Sequence, residues 1–392
     1  MNRIFIAFGA AALLLAGCTY VEKPGRDTSA DDIQEGSELR LADPAATEET
    51  KALYSNLWAI QSKGFMFGHH DDLMYGRRWY NQPGGSDTKD VCGDYPAVYS
   101  MDFSEMMDDR YISSKSDNDI RLRCIREAYG RGMVIIGCAH LNNPLTGGDA
   151  WDNTNNQVVR RILTDGDPVN ETFKTWLDRF ASVALSLKGE NGELIPIIFR
   201  PFHEHTQDWS WWGSQCTTTE EFVGLWQFTV KYLRDVKGVH NLIYAISPQM
   251  DSAKTEEDFY FRWPGDEWVD FVGMDCYQGI NNAVFTANLK AISKVSLTKM
   301  KPCGVTETGV EGFTSRTYWT ENIHAPMTGR RVSLLVTWRN KFVMSESDTH
   351  YFSVFPGHPS ESDFIKMYKQ DNTFFCSDLP DMYTMAEGLK VN

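Results

Sequence analysis

Two glutamates carry the strongest chemical signal in this sequence of 392 residues: Glu204 in RPFHEHTQDWSWWG (200–213) and Glu307 in GVTETG (304–309). Each follows an apolar run; the first lies between His203 and His205 and shortly before Trp209, Trp211 and Trp212. Two carboxyl groups can divide an acid–base reaction, one kept protonated by dry surroundings and the other kept ionised by hydrogen-bond donors. Placed either side of a glycosidic bond, such a pair protonates the leaving oxygen and meets the oxocarbenium-like carbon. Indole faces beside them suit sugar rings, which have C–H faces and hydroxyl edges. For either glutamate alone, the competing reading is a salt bridge at a strand end.

The chemistry requires elements that bring residues 103 positions apart to one place (307 − 204). Eight short apolar runs supply them, at 64–70, 95–103, 132–141, 194–204, 241–249, 271–278, 302–309 and 332–340. They read as buried parallel strands, which are apolar on both faces. Between them lie helical patterns, such as 170–188 with Phe173, Trp176, Leu177, Phe180 and Val183 on one stripe, and 218–237 with Thr218 and Glu221 in capping-box relation. Strand then helix, eight times, predicts a single (β/α)8 TIM barrel of the α/β class. A doubly wound open sheet is the alternative, but no glycine-rich phosphate loop follows the first strand. A barrel gathers the strand ends at one mouth: His69, His70, Asp102, His140, His203, Glu204, Gln249, Asp275, Tyr277, Glu307, Trp338 and Arg339.

These segments resemble glycoside hydrolase family 26, the β-mannanases of the large clan of retaining (β/α)8 glycosidases. RPFHEHTQDWSWWG is similar to the acid/base segment, with His before the glutamate where most of the clan has Asn, and GVTETG to the nucleophile segment. MDCYQ, TWRN, FGHH and PAVYSMD also fit, and the likeness runs over about residues 40–392. The resemblance implies that Glu204 is the acid/base and Glu307 the nucleophile. It implies that His203 contacts nucleophile and sugar, that Tyr277 hydrogen-bonds the nucleophile and that Asp275 supports the arrangement. Trp338 would lie under the sugar at the cleavage point, Trp209 on the leaving-group side, and His140 and Arg339 around the next sugar out. The implied substrate is β-1,4-mannan, galactomannan or glucomannan, cut internally or released as mannobiose. Family relatives that cut mixed-linkage β-glucan or β-1,3-xylan keep those substrates open, as does a glycan-binding barrel without catalysis. His205 has no implied role.

No metal or cofactor is expected. His203 and His205 lack the i, i+4 spacing of HExxH zinc sites, and the His69–Asp72 cluster reads as a structural strand end. With 53 acidic against 38 basic residues, a net charge of −15 argues against nucleic acid as a partner. Residues 1–18, MNRIFIAFGAAALLLAGC, resemble a bacterial lipoprotein signal, which would make Cys18 a lipidated anchor to the membrane. Residues 19–40 read as a polar tether and 41–392 as the catalytic domain, expected as a monomer on the periplasmic side rather than the cell surface. The other seven cysteines are an odd number, and Cys138, Cys276 and Cys303 sit in apolar runs as buried thiols. Polar loops at 81–87 and 141–157 fall on the mouth side, where they either shape a cleft or block one end of it.

Overall fold

Eight parallel strands close on themselves in the computed structural model, which describes residues 38–392. They are β1 (Phe65–His70), β2 (Val98–Asp102), β3 (Val134–Cys138), β4 (Ile197–Arg200), β5 (Leu242–Ile246), β6 (Phe271–Cys276), β7 (Cys303–Thr308) and β8 (Leu334–Thr337). Each pairs with its neighbour in chain order, and β8 returns to β1 with Leu334 opposite Met66 and Thr337 opposite His69. The expected TIM barrel is therefore present, and each apolar run holds one of its strands.

Alternation along the strands sorts their side chains. Met66, Val98, Ile136, Ile198, Ala245 and Val336 fill the interior. Tyr99, Ile135 and Phe199 face outward, onto Phe173, Trp176 and Phe180 of the helix Pro168–Ser186. The helix Glu48–Ile60, before β1, packs Leu53, Leu57 and Trp58 against the interior set. Tyr54 of that helix donates to Asp270 O at 3.1 Å, and Gln61 Oε1 accepts from Cys303 N at 2.7 Å, at the amino ends of β6 and β7. One end of the barrel is thus plugged, leaving the carboxyl ends of the strands as the mouth.

The capping box forms as read, Thr218 Oγ1 accepting from Glu221 N and Glu221 Oε2 from Thr218 N, and the helix Thr219–Lys231 continues as a wider turn over Tyr232–Val236. The crossovers are unequal. Between β5 and β6 there is only the short helix Glu256–Phe259 and a 3-10 turn, the connection being held by Asn288 Nδ2 on Met250 O (2.6 Å) and Ser252 O (3.0 Å).

Two boundaries differ from the reading of the sequence. The fourth strand ends at Arg200, not Glu204, because Phe202 and Glu204 take the left-handed conformation, with φ of 53° and 55°. The tether reading of 19–40 overlaps the fold: Glu38–Leu39 pairs in parallel with Lys390–Val391, and Leu39 is fully buried. Residues 1–18, Cys18 and the remainder of the tether lie outside the described residues. Among the described residues all seven cysteines are free thiols, with Cys138, Cys276 and Cys303 buried.

Candidate active site

A bulge in β7 sets the centre of the mouth. Val305 lies opposite Met274 and Glu307 opposite Asp275, so β7 carries one extra residue, Thr306, against β6. The consecutive Thr306 and Glu307 thereby both reach the interior. Thr306 Oγ1 meets Asp275 Oδ1 at 2.7 Å and Ser247 Oγ at 3.0 Å, while Glu307 continues into a charged cluster. Gly273 makes the space: a Cβ there would lie 2.3 Å from Ser247 Oγ and 2.8 Å from Thr306.

Arg200, fully buried at the end of β4, spans the two acids of that cluster. Its Nη1 donates to Asp275 Oδ1 and Oδ2 at 2.8 and 3.0 Å, and its Nη2 donates to Glu307 Oε1. Tyr277 OH donates to Glu307 Oε2 at 2.9 Å, and the Tyr277 backbone is fixed by its N–H on Asp251 Oδ1 at 2.7 Å. Burial pushes the Asp275 carboxyl up to about 7 in spite of Arg200, with the charge of Glu307 adding to the rise.

Glu204 sits in different surroundings. Its N–H donates to Ser247 O at 2.7 Å, and its Oε2 accepts from Trp209 Nε1 at 2.9 Å. Burial, then the charge of Glu307, raises its pKa well above the usual carboxylate range. One carboxyl is thus kept protonated, while the other has donors on both oxygens.

His203, between the two left-handed residues, is held by Trp212 Nε1 on its carbonyl at 2.8 Å. Its Nε2 lies 3.0 Å from His140 Nε2 and 3.9 Å from Glu307 Oε1. Burial drives its pKa well below 6.5, and the charges of His140 and Arg200 act in the same direction. Burial opposes charge on His140 too, but Asp102, 2.6 Å from its Nδ1, outweighs this and raises the imidazole. Trp338 lies against His70, ring centroids 4.1 Å apart, and Arg339 donates to Tyr75 OH at 3.3 Å, which in turn donates to Asp71 Oδ2 at 2.5 Å. A cavity of about 530 Å3 opens between His140, Trp338, Arg339, Trp151 and Tyr80.

The structure brings together Glu204, Glu307, His140, His203, Trp209, Asp275, Tyr277, Trp338 and Arg339. It sets His69 and His205 apart. His69 turns outward, its Nδ1 2.9 Å from Asp72, and His205 stacks on Phe222 with centroids 4.4 Å apart, burial lowering its pKa to about 3. Trp211 and Trp212 are buried supports, not sugar platforms. Ligand atoms of His203, Asp275 and Glu307 lie close enough to surround a cation, and the Arg200 guanidinium already bonds both of those carboxylates.

Sequence reasoning gave no role to Arg200, Asp102 or Trp151. Arg200 had a signal, since a charge closing an apolar run needs a buried partner. Trp151 is exposed in the long loop after β3, its ring 5.5 Å from His140, and the loop's polarity hid it.

Residues 42–311 match the family described as glycosyl hydrolase family 26. A mannan endo-1,4-β-mannosidase of Bifidobacterium adolescentis is 31% identical over 326 residues, covering 78% of this chain but 31% of that protein. The chain thus spans about a third of the length of that relative. A mannan endo-1,4-β-mannosidase of Bacillus subtilis is 24% identical over 322 residues, 80% of each chain. Among solved structures, a GH26 β-mannanase of Bacteroides ovatus is 37% identical with a TM-score of 0.81, covering 87% of this chain and 98% of that one. The catalytic domain of an endo-β-1,4-mannanase of Bacillus sp. JAMB-750 is 29% identical with a TM-score of 0.82, covering 94% and 100%.

Proposed function

Since the chain belongs to glycosyl hydrolase family 26, we propose that it is a retaining glycoside hydrolase that cleaves β-1,4-mannosidic bonds in mannan, galactomannan or glucomannan. The observation that carries this is the contrast between the two carboxyls: Glu204, half-buried, receives one indole N–H and has its pKa raised, whereas Glu307, buried, receives Arg200 and Tyr277. In the first step Glu307 attacks the anomeric carbon while the Glu204 proton passes to the leaving oxygen, giving a glycosyl-enzyme and a shortened chain. In the second, Glu204 takes a proton from water, the resulting hydroxyl bonds to the anomeric carbon, and the bond to Glu307 breaks.

Trp338 supports the sugar at the cleavage point, His140 and Arg339 the next one, and Trp209 the leaving side. His203 lies beside Glu307, where the axial 2-hydroxyl of mannose falls. The relatives' names, mannan endo-1,4-β-mannosidase and β-mannanase, support the choice of substrate. Cys18 is read as a lipidated anchor, residues after it as a tether, and 41–392 as a monomeric catalytic domain on the periplasmic side. The signal-like run before Cys18 supports this, and a Cys18→Ala chain that stayed in the membrane fraction would contradict it.

The test is product analysis of the chain without residues 1–18 on β-1,4-mannan, mixed-linkage β-glucan and β-1,3-xylan in parallel, with Glu307→Ala as control. Cleavage of mannan alone, absent in the control, is the expected result. Mannan binding without cleavage would make this a glycan-binding barrel.

A further inference from the structure

The loop after β1 does not hang free over the mouth. It folds back as a hairpin, Tyr75–Gly76 against Trp79–Tyr80, and its base is fixed by Asp87. That buried carboxylate accepts from Arg77 N at 2.7 Å, Trp79 Nε1 at 3.0 Å and Asn340 Nδ2 at 2.9 Å. On one flank, Tyr80 OH donates to Asp117 Oδ1 at 2.5 Å and Asn81 Oδ1 accepts from Arg123 Nη2 at 2.9 Å. Both partners are on the helix Lys115–Gly130, which follows β2. On the other flank the hairpin joins the loop after β8: Val343 N donates to Arg77 O at 3.0 Å, the Arg77 guanidinium donates to Asp348 O, and Arg78 pairs with Glu346. The rings of Tyr80 and Phe342 lie 6.0 Å apart across the same seam.

Strands β8, β1 and β2 are neighbours around the barrel, so these three loops form one continuous rim. The rim bounds the 530 Å3 cavity, which has His140 and Trp338 at the reaction centre and Tyr80 and Asp117 at the far side. Direction follows from the roles proposed above. Neither Glu204 nor Glu307 lines this cavity, but Trp338, His140 and Arg339 do. With Trp338 under the sugar bonded to Glu307 and His140 and Arg339 around the next one, the non-reducing side of the chain runs across Trp338 into it, and the leaving group lies by Glu204 and Trp209, outside it. A glycone that continues further meets the Tyr80–Asp117 bridge.

We infer that the rim tied by Tyr80 and Asp117 closes the glycone side of the cleft, so that the enzyme releases a short oligosaccharide of fixed length from the non-reducing end of its substrate instead of cutting at internal bonds. This rests on the mannan-hydrolase reading above. A site of this size, walled by hydrogen-bonded side chains, binds a chain end with most of its surface buried, which an open groove does not do. Arg121, on Glu105 Oε2 at 2.8 Å, and Arg339 stand with Asp71 and Asp117 around the space, leaving donors and acceptors for terminal hydroxyls of a neutral sugar.

The experiment uses β-1,4-mannohexaose reduced with borohydride, together with a viscous galactomannan. The wild-type protein is compared with Tyr80→Phe, which keeps the ring and loses the bond, and with Tyr80→Ala/Asp117→Ala. Wild type is expected to give one unreduced product length from the earliest time points, with viscosity falling slowly per bond cut. The double variant is expected to give a ladder and a several-fold faster fall in viscosity per bond cut. A ladder from the wild type would overturn the inference, as would a single product length persisting in the double variant. No cleavage by any of the three, with mannohexaose still bound, would instead defeat the hydrolase reading itself.

Discussion

Asp102 lies 2.6 Å from Nδ1 of His140, and this orients Nε2 of His140 toward Nε2 of His203 at 3.0 Å. Two imidazoles that close share one proton between the facing nitrogens, because two protons there would repel. The environments decide which ring carries the extra charge: Asp102 raises His140, while burial together with His140 and Arg200 lowers His203. His203 thus remains neutral beside Glu307.

Replacing Asp102 by Asn tests this arrangement through stability. The raised His140 contributes stability that is full below 6.5 and is lost as pH rises through its folded value. The lowered Asp102 contributes stability present above 3.8 and lost as pH falls through its folded value. Wild type should therefore exceed Asp102→Asn most between pH 3.8 and 6.5, by about 1.5–3 kcal/mol, as for a hydrogen bond to a charged group. Urea unfolding across pH 4 to 9 measures the gap; a gap that is constant with pH contradicts the pairing.

Glu204→Gln separates catalysis from folding. Because its folded pKa is raised, the Glu204 carboxyl contributes stability below 4.5 that declines as pH rises through the folded value. The amide cannot ionise, so the variant should unfold at higher temperature than wild type in alkaline buffer. Mannan hydrolysis should fall by about 10²- to 10⁴-fold, the usual contribution of a general acid. An aryl mannoside, whose leaving group needs no proton, should lose much less in its first step. Equal losses on both substrates would remove Glu204 from the acid role.

The barrel was legible because strands buried on both faces are written as unbroken apolar runs, and β1 to β8 all lie inside such runs. What the runs do not encode is backbone that leaves the strand. Phe202 and Glu204 adopt positive φ for reasons of tertiary packing, which turns His203 into the mouth and sends His205 to Phe222. Period-two reasoning would also put Thr306 and Glu307 on opposite faces, and only the bulge brings both inside. The indoles of Trp209, Trp211 and Trp212 are equivalent in sequence. One bonds Glu204 and two are buried, a difference set by packing: Trp211 Nε1 donates to Leu141 O, 70 residues back, and Trp212 Nε1 to His203 O. The hairpin's ties to Asp117 and Asp348 join loops from three strands and left no local pattern.

Arg200→Met should be the most damaging of these changes to the fold. Removing the guanidinium leaves Asp275 and Glu307 buried side by side without their shared cation, a loss of about 3–5 kcal/mol for a broken buried pair. Arg200→Lys should recover only part of it, because one ammonium cannot reproduce the fork that reaches both acids. Chemical denaturation of the two variants gives the comparison, and a lysine variant as stable as wild type would show that charge alone suffices.

Tyr277→Phe probes the reaction after the glycosyl-enzyme has formed. Burial and the charge of Glu307 raise the Tyr277 phenol well above 10, so it remains a donor to Glu307 Oε2 throughout the working pH range. That bond strengthens as Glu307 regains full negative charge, which happens when water displaces it from the sugar. It weakens as Glu307 gives up charge to attack. Losing it should slow release of the glycosyl-enzyme by the equivalent of about 1.5–3 kcal/mol, roughly tenfold to a hundredfold, and leave the attack step less affected. With an aryl mannoside the variant should then show a burst of phenol equal to the enzyme concentration, followed by slow turnover. A variant that slows without a burst would place the hydroxyl's contribution in the attack step instead.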